Sequence, residues 1–387
     1  MFHLSRRRAH LDAGNLLRSL TDVINQVPGG INLGQGVCDM DPPAPLVRGA
    51  VESIEGGDRQ LYTPYAGLPE LRAAISEKLR TWNGLPWGPD EVCVTTGSSG
   101  AFFAAGIALF EPGDEVILFE PFYPYHASNL RLMQCEPVAV PLQGDELRLD
   151  GDRLRRALTP RTRAVVVNTP ANPSGKVFTR ADLDAIAQAL RGTEVLVLTD
   201  EVYEYMCYDG RRHVSPGTVP GLVERTLTIG GFSKTFSVTG WRIGYLAGPK
   251  ATVDAIGRVF DQINVCAARP MQRGVQRALE RLPPAFYTDL QRTYEQKRDR
   301  FCAALAAGGF TVRKPEGAYY VLAGYQQVFG DVDSYTAVKT MIDRLRLNGV
   351  PGMVFHAHAP EQVRTIRFQF AVTPPVLDEV CRRLVTS

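Results

Sequence analysis

The sequence predicts an α/β fold, a mostly parallel sheet covered on both faces by helices, followed by a smaller α+β region. Three observations lead there. From residue 91 onward, apolar runs of strand length at 92–95, 115–119, 164–167, 195–199, 226–229 and 243–247 alternate with helical patterns such as 100–110 and 181–190. Runs that are apolar throughout mark strands buried on both faces. Beyond residue 251 the pattern changes to long helices and then, after Gly308-Gly309, to a mixture of short strands and helices. The length of 387 residues accommodates one large domain and a smaller one, and nothing repeats at a solenoid period.

Residues 1–30 carry a basic run, Arg6-Arg7-Arg8, and little sustained periodicity apart from Leu16-Leu17-Arg18-Ser19-Leu20, which predicts an arm with one short helix. Ile31-Asn32-Leu33-Gly34-Gln35-Gly36-Val37 runs apolar into two glycines, either a tight turn or a close approach of backbone to ligand. Asp41-Pro42-Pro43-Ala44-Pro45 punctuates the chain before a helix with Leu46, Val47, Ala50, Val51 and Ile54 at helical spacing, and 61–72 is a loop feeding a second helix. The alternating segment follows. The helix at 285–307, with Phe286, Leu290, Tyr294, Phe301 and Leu305 on one side, spans roughly 34 Å at 1.5 Å per residue and could connect two domains. Strand and helix signals at 310–312, 319–322, 332–347, 366–371 and 375–384 complete the smaller region, which the N-terminal segment is expected to join. The resulting division is an arm at 1–30, a large domain at 46–280, and a small domain made of 31–45 and 281–387.

Composition narrows the functional classes. A formal net charge of +2 exerts no long-range pull on nucleic acid or membrane, and no apolar stretch approaches the roughly 20 residues of a membrane span. The chain opens on no signal-peptide shape, so cytoplasm is the expectation. Seven cysteines without a C-x-x-C pair give neither a zinc-finger spacing nor a disulfide framework. His356-Ala357-His358 has no further ligand nearby in sequence and is read as non-metal.

The chemistry centres on 230–245. Lys234 follows an apolar run, so it falls on a loop past a strand end, where ligands bind in open α/β sheets. Phe232, Phe236 and Trp241 flank it in sequence, an apolar context expected to surround a nucleophilic amine. Ser233 and Arg242 bracket it with a hydroxyl and a planar five-donor cation suited to a phosphate. One amine, one phosphate clamp and aromatic walls suggest a site for pyridoxal 5′-phosphate held as a Schiff base. Asp200 ends the strongly apolar run 195–198; a carboxylate there needs a cationic partner, which a pyridinium nitrogen would be, although capping a following helix is the competing role. Gly97-Ser98-Ser99 opens a helix after a strand, which suits either a phosphate or a plain cap. Asn168-Thr169-Pro170-Ala171-Asn172-Pro173-Ser174-Gly175 is a rigid loop that could hold an amide at fixed distance. Arg367 lies in an alternating strand, where a guanidinium can take a carboxylate through two hydrogen bonds.

Ser233-Lys234-Thr235-Phe236-Ser237-Val238-Thr239-Gly240-Trp241-Arg242 closely resembles the lysine segment of the class I/II aminotransferases, fold type I. The likeness extends over about 31–371 in the family's order. It is greatest to the subgroup with kynurenine, methionine and aromatic aminotransferases, through the Asn32–Gly36 segment and Tyr62-Thr63-Pro64-Tyr65-Ala66-Gly67. The resemblance implies a seven-stranded, mostly parallel sheet and a homodimer. It also implies roles for individual residues. Ser98 and Ser99 would donate to the cofactor phosphate, Tyr123 would stack on the ring, and Asn172 and Tyr203 would bond its O3′. Gly36, Asn172 and Arg367 would hold the substrate carboxylate, and Tyr62 would reach the neighbouring subunit's phosphate. From the bare sequence Tyr62 could equally be a loop or interface tyrosine. Gly231 departs from the pattern, for many relatives place a phosphate-binding serine there.

The implied reaction is amino transfer from an amino acid to a 2-oxo acid in a two-half-reaction, ping-pong cycle, with Lys234, Asp200 and Tyr203 as catalytic residues. Elimination by a cysteine-S-conjugate β-lyase and the ring closure of aminocyclopropane-carboxylate synthases keep the same cofactor and are the alternatives. A non-catalytic sensor is the distant one, disfavoured because only about 30 residues precede Asn32, too few for a winged helix. Ala267 and Ala268, in a stretch resembling the loop lent by a partner subunit, and His356 and His358, expected to face the cleft, point to aromatic or other large substrates.

Overall fold

The computed structural model describes residues 5, 7, 12–38, 40–57 and 59–385. Arg6 and Arg8 of the basic run lie outside them, while Arg7 is exposed and donates to Gln134 Oε1 at 2.9 Å. The first strand, Ile31–Asn32 (β1), is two residues long. Seven more follow: Val92–Thr95 (β2), Glu115–Glu120 (β3), Glu136–Pro141 (β4), Thr162–Asn168 (β5), Leu196–Asp200 (β6), Thr226–Gly231 (β7) and Gly244–Ala247 (β8). They form one sheet in the order β2-β8-β7-β6-β5-β3-β4, parallel except at β8, which runs antiparallel to β2 and β7. Helices pack on both faces, so β2, β3 and β8 are buried along their whole length, as runs without polar alternation require.

The sequence runs marked six of these strands. β4 carries Pro137 and Pro141 and is mostly half-buried. It lies at the sheet edge, where a missing N–H costs no ladder bond and where an apolar run is not required.

The C-terminal strands are Thr311–Val312 (β9), Tyr320–Gly324 (β10), Leu347–Asn348 (β11), Val350–Pro351 (β12) and Thr365–Gln369 (β13). Four make a second sheet in the order β12-β13-β10-β9, all antiparallel, and β11 pairs in parallel with β1. Their core holds Phe301, Phe310, Phe368 and Phe370 together with Leu20, Ile24 and Leu33 from the N-terminal segment. The N-terminal helix, Asp12–Gln26, is therefore a 15-residue element anchored by one apolar face, longer than the short helix expected. The long helix runs over Pro284–Ala307, close to the 285–307 read from its apolar face.

The carboxyl ends of β2, β3, β5, β6 and β7 deliver Thr95, Glu120, Asn168, Asp200 and Gly231 to one edge of the large sheet.

Candidate active site

A cavity of about 420 Å³ opens at that edge, within the roughly 300–1,000 Å³ usual for small-molecule sites. Lys234 lies three residues past the end of β7, and its Nζ donates to the Gly36 carbonyl at 2.8 Å. Gly36 arrives from the segment after β1 and also accepts from Tyr319 Oη at 3.1 Å. A Cβ on Gly36 would stand 1.9 Å from Tyr320 Oη, so no other residue lets that tyrosine reach the cavity wall.

At the end of β6, Asp200 is buried with its Oδ2 3.1 Å from His126 Nε2. His126 sits on the helix Pro124–Leu132, stacked on Phe102 and set edge-on to Tyr123. Tyr203 is three residues beyond Asp200, and its hydroxyl lies 3.0 Å from that of Tyr320. Burial, with the Tyr320 hydroxyl beside it, pushes Tyr203 well above the ordinary phenol range, so it remains an O–H donor at neutral pH. Burial likewise raises Tyr123.

A second group is built from α-helix geometry and one close approach. The helix Gly97–Leu109 begins at the cavity with Ser98 and Ser99 in its first turn, where N–H groups lack intrahelical partners. Arg242 donates to Thr239 O at 2.9 Å and Ser233 Oγ at 3.4 Å. Gly97 has φ +73°, and a Cβ there would come 2.4 Å from Arg242 Nη2, so the glycine both permits the turn and lets the guanidinium lie against the helix start. Cation, hydroxyls and helix N-terminus converge on one wall.

Arg367 from β13 also lines the cavity and donates through Nη1 to Asn172 Oδ1 at 2.8 Å and through Nη2 to the Gly34 carbonyl. Its Nε is buried with no hydrogen-bond partner among the described residues, a donor left over for something the protein does not supply. Tyr320 and Phe355 flank the guanidinium at 4.4 and 5.1 Å from its carbon to the ring centres. The Asn172 amide N–H donates to Asn168 Oδ1 at 2.7 Å, and Asn168 Nδ2 to the Asp200 carbonyl at 3.0 Å, which locks the loop to the end of β6.

Of the residues singled out from sequence, Gly36, Ser98, Ser99, Tyr123, Asn172, Asp200, Tyr203, Ser233, Lys234, Arg242 and Arg367 line this one cavity. Tyr62 does not; it is 78% exposed on its own chain. Ala267 is buried elsewhere, and neither it nor Ala268 lines the cavity. His356 and His358 do not face the cleft as expected. Their Nδ1 atoms each lie 3.1 Å from a Glu120 carboxylate oxygen, closing a clasp at the end of β3. Burial would raise Glu120, but hydrogen bonds from His356, the Ala357 amide and His358 hold it at about 2. Sequence reading missed His126, Tyr319 and Tyr320. The only signal for His126 was its place one helical turn after Tyr123.

The sequence pattern of the family described as aminotransferase class I and II matches residues 28–384. This chain belongs to that family. The aminotransferase is 35% identical over 367 residues to a probable N-succinyldiaminopimelate aminotransferase of Mycobacterium tuberculosis, covering 92% of each chain. It is 34% identical to aromatic-amino-acid aminotransferase 2 of Thermococcus litoralis, covering 95% of this chain and 94% of the other. Among solved structures, a protein of Escherichia coli with a methionine aminotransferase function superposes with a TM-score of 0.94 at 30% identity over the whole of both chains. The fold is that of the fold type I aminotransferases, the cofactor is pyridoxal 5′-phosphate, and the reaction moves an amino group between an amino acid and a 2-oxo acid. These three relatives are named for amino transfer and none for elimination or ring closure.

The donor set of this aminotransferase fits that cofactor. The wall of Arg242, Ser233, Ser98 and Ser99 offers a cation and hydroxyls to a phosphate, buried Asp200 offers an anion to a pyridinium nitrogen, and Lys234 offers an amine in the same cavity.

Proposed function

We propose that each of these residues has one task in amino transfer. Arg242, Ser233, Ser98, Ser99 and the start of the Gly97–Leu109 helix hold the cofactor phosphate; Tyr123 covers the ring face; Asn172 and Tyr203 bond O3′; Asp200 pairs with the ring nitrogen. Bound pyridoxal phosphate supplies an electrophilic carbon for an amine and an electron sink for the Cα–H bond. His126 fixes the Asp200 carboxylate from behind, so that the anion faces the ring rather than rotating away. Arg367, with Asn172 and the Gly36 amide, orients the substrate α-carboxylate, and the spare Nε donor favours this role. Lys234 tethers the cofactor in the resting enzyme. With that amine free, its Nζ would act as the base that takes the proton from the substrate Cα and as the acid that gives the same proton back within the half-reaction.

The observation carrying this reading is that Lys234 from the loop after β7, Asp200 from β6 and Arg367 from β13 meet in one cavity. The test is transfer from a panel of amino acids to a 2-oxo acid, measured with Lys234→Ala as control. Turnover surviving in Lys234→Ala refutes it.

The same reading makes the enzyme a cytoplasmic homodimer in which Tyr62 of each chain reaches the other's phosphate site. No helix among the described residues is long and apolar enough to cross a membrane. Val47, Val51 and Ile54 form an exposed apolar stripe on the helix Ala44–Glu55, beside exposed Leu61 and Tyr62, a surface that a second copy would cover. Residues 46–280 are taken as the large, cofactor-binding domain and 31–45 with 281–387 as the small one, with the Asp12–Gln26 helix packed on the latter's core.

A further inference from the structure

We infer that His356 and His358, through their grip on Glu120, are positioning residues for Arg367, an inference that rests on the amino-transfer reading and concerns how its carboxylate clamp is held. Both histidines lie in the connection 352–364 between β12 and β13, whereas Glu120 ends β3 of the large sheet. One Glu120 oxygen faces His356 Nδ1 at 3.1 Å; the other takes the Ala357 N–H at 2.8 Å, the His358 N–H at 3.2 Å and His358 Nδ1 at 3.1 Å. A carboxyl held at about 2 is ionised at neutral pH and can only accept, so each Nδ1 carries the proton. Four donors from three consecutive residues thus close on one buried anion. The adjoining backbone adds a fifth bond between the same two segments, from the Phe122 N–H to the Phe355 carbonyl at 3.0 Å.

This tie ends on Arg367. Phe355 closes the 3₁₀ turn Gly352–Phe355 and is fully buried, with its ring set against the Arg367 guanidinium. The turn lies directly on β13: a Cβ on Gly352 would come 2.2 Å from Thr365 Oγ1, and Val350 just before it pairs with Arg367 itself. The plane of a guanidinium fixes the direction of its N–H fork, so a ring that slips off its face lets the fork turn. Tyr123, the cavity residue nearest the clasp in sequence, has support of its own: it stands at the start of the helix Pro124–Leu132 and packs on Tyr125 and His126. Glu120, Phe355 and the two histidines do not line the cavity, so they act on a ligand only through residues that do.

The test measures, by calorimetry on the holoenzyme, the binding of hexanoate against hexanamide, which differ in the charge that Arg367 reads. The parent binds the acid more tightly, and Arg367→Gln abolishes that advantage. His358 is exposed and His356 half-buried, so the double variant His356→Ala/His358→Ala opens no cavity in the core. It reduces the acid's advantage several-fold to about tenfold, short of the roughly hundredfold that outright misplacement costs, while hexanamide binds as before. Glu120→Ala, which removes the anion itself, does the same. His356→Asn/His358→Asn, which sets an amide N–H where each Nδ1 stands, restores most of it. In turnover the loss falls on KM rather than kcat, since the α-carboxylate contact is made alike in ground and transition states. A merely structural pair of histidines would weaken acid and amide alike. An acid-to-amide ratio unchanged in the double alanine variant, or a parent without preference for the acid, overturns the inference. Absence of transfer from every amino donor would instead sink the amino-transfer reading, and the acid-to-amide ratio would still decide the role of the histidines.

Discussion

Replacing Lys78 by methionine should destabilise the protein from a position outside the cavity. Lys78 ends the helix Pro69–Lys78, is 7% exposed, and directs its ammonium at both Glu204 oxygens and at Tyr245 Oη 2.9 Å away. The rings of Tyr205 and Tyr245 lie 5.6 and 5.5 Å from its nitrogen. Glu204, 4% exposed, also accepts from Asn83 Nδ2 at 2.7 Å. Next to it Glu201 is bound by His213, Ser215 and Thr199. Burial opposes ionisation of Glu201, but His213 and the Ser215 hydroxyl hold its carboxyl below the ordinary range. The turn 200–204 thus sends Asp200 and Tyr203 into the cavity and Glu201 and Glu204 into a buried ionic cluster behind it.

Removing one partner of a buried pair costs about 3–5 kcal/mol, because the other charge stays buried. An unfolding entropy of about 2.1 cal/mol/K per residue over 387 residues turns that into a melting temperature about 4–6 °C lower. The double variant Lys78→Met/Glu204→Gln, which keeps an acceptor for Asn83 and removes the stranded charge, should recover most of it. Thermal unfolding of the cofactor-free protein is the assay, since it isolates the fold from the ligand. A Lys78→Met protein that melts within about 1 °C of the parent, or a double variant no better than the single, would refute the buried-pair reasoning.

Three further outcomes follow from the same geometry. Glu120 sits near 2 against an ordinary 4.5, so its contribution is fully present above pH 4.5 and is lost as pH falls toward 2. Acid unfolding should therefore carry a component of roughly 3 kcal/mol in that window that Glu120→Gln abolishes. At Gly231 an added Cβ would meet nothing nearer than Val202 Cγ1 at 3.6 Å, so Gly231→Ser should be accommodated and should slow cofactor loss on dialysis by several-fold to about tenfold. Tyr62→Phe should weaken cofactor retention without changing the melting temperature of the cofactor-free chain, because Tyr62 is 78% exposed; a large drop in that temperature would instead mark it as a packing residue.

The strands that carry the site could be read from sequence because burial on both faces leaves an unbroken apolar run, and a polar residue ending such a run stands out. Asp200 after 195–198 and Lys234 after 226–229 are of this kind. β4 was hidden by its two prolines and by an edge position that needs no continuous apolar face. What the sequence could not supply were pairings between distant residues. Arg367 meets Asn172 across 195 positions, and Lys234 meets Gly36 across 198. His126 is, in sequence, one polar residue on a short helix; its meaning comes from Asp200, which β6 brings beneath it. The spacing of His356 and His358 was visible, but not that Glu120 from the other sheet would take both. The Lys78 cluster was invisible for the same reason, each member looking like an ordinary surface charge until folding buries all of them together.

The central claim is that the amine at position 234 is the one the cofactor occupies. Reducing the resting enzyme with borohydride and mapping the modified peptide by mass tests it directly. A single phosphopyridoxyl adduct is expected on Lys234, lost in Lys234→Ala. An adduct on another lysine, or none in an enzyme that still transfers amino groups, would contradict it.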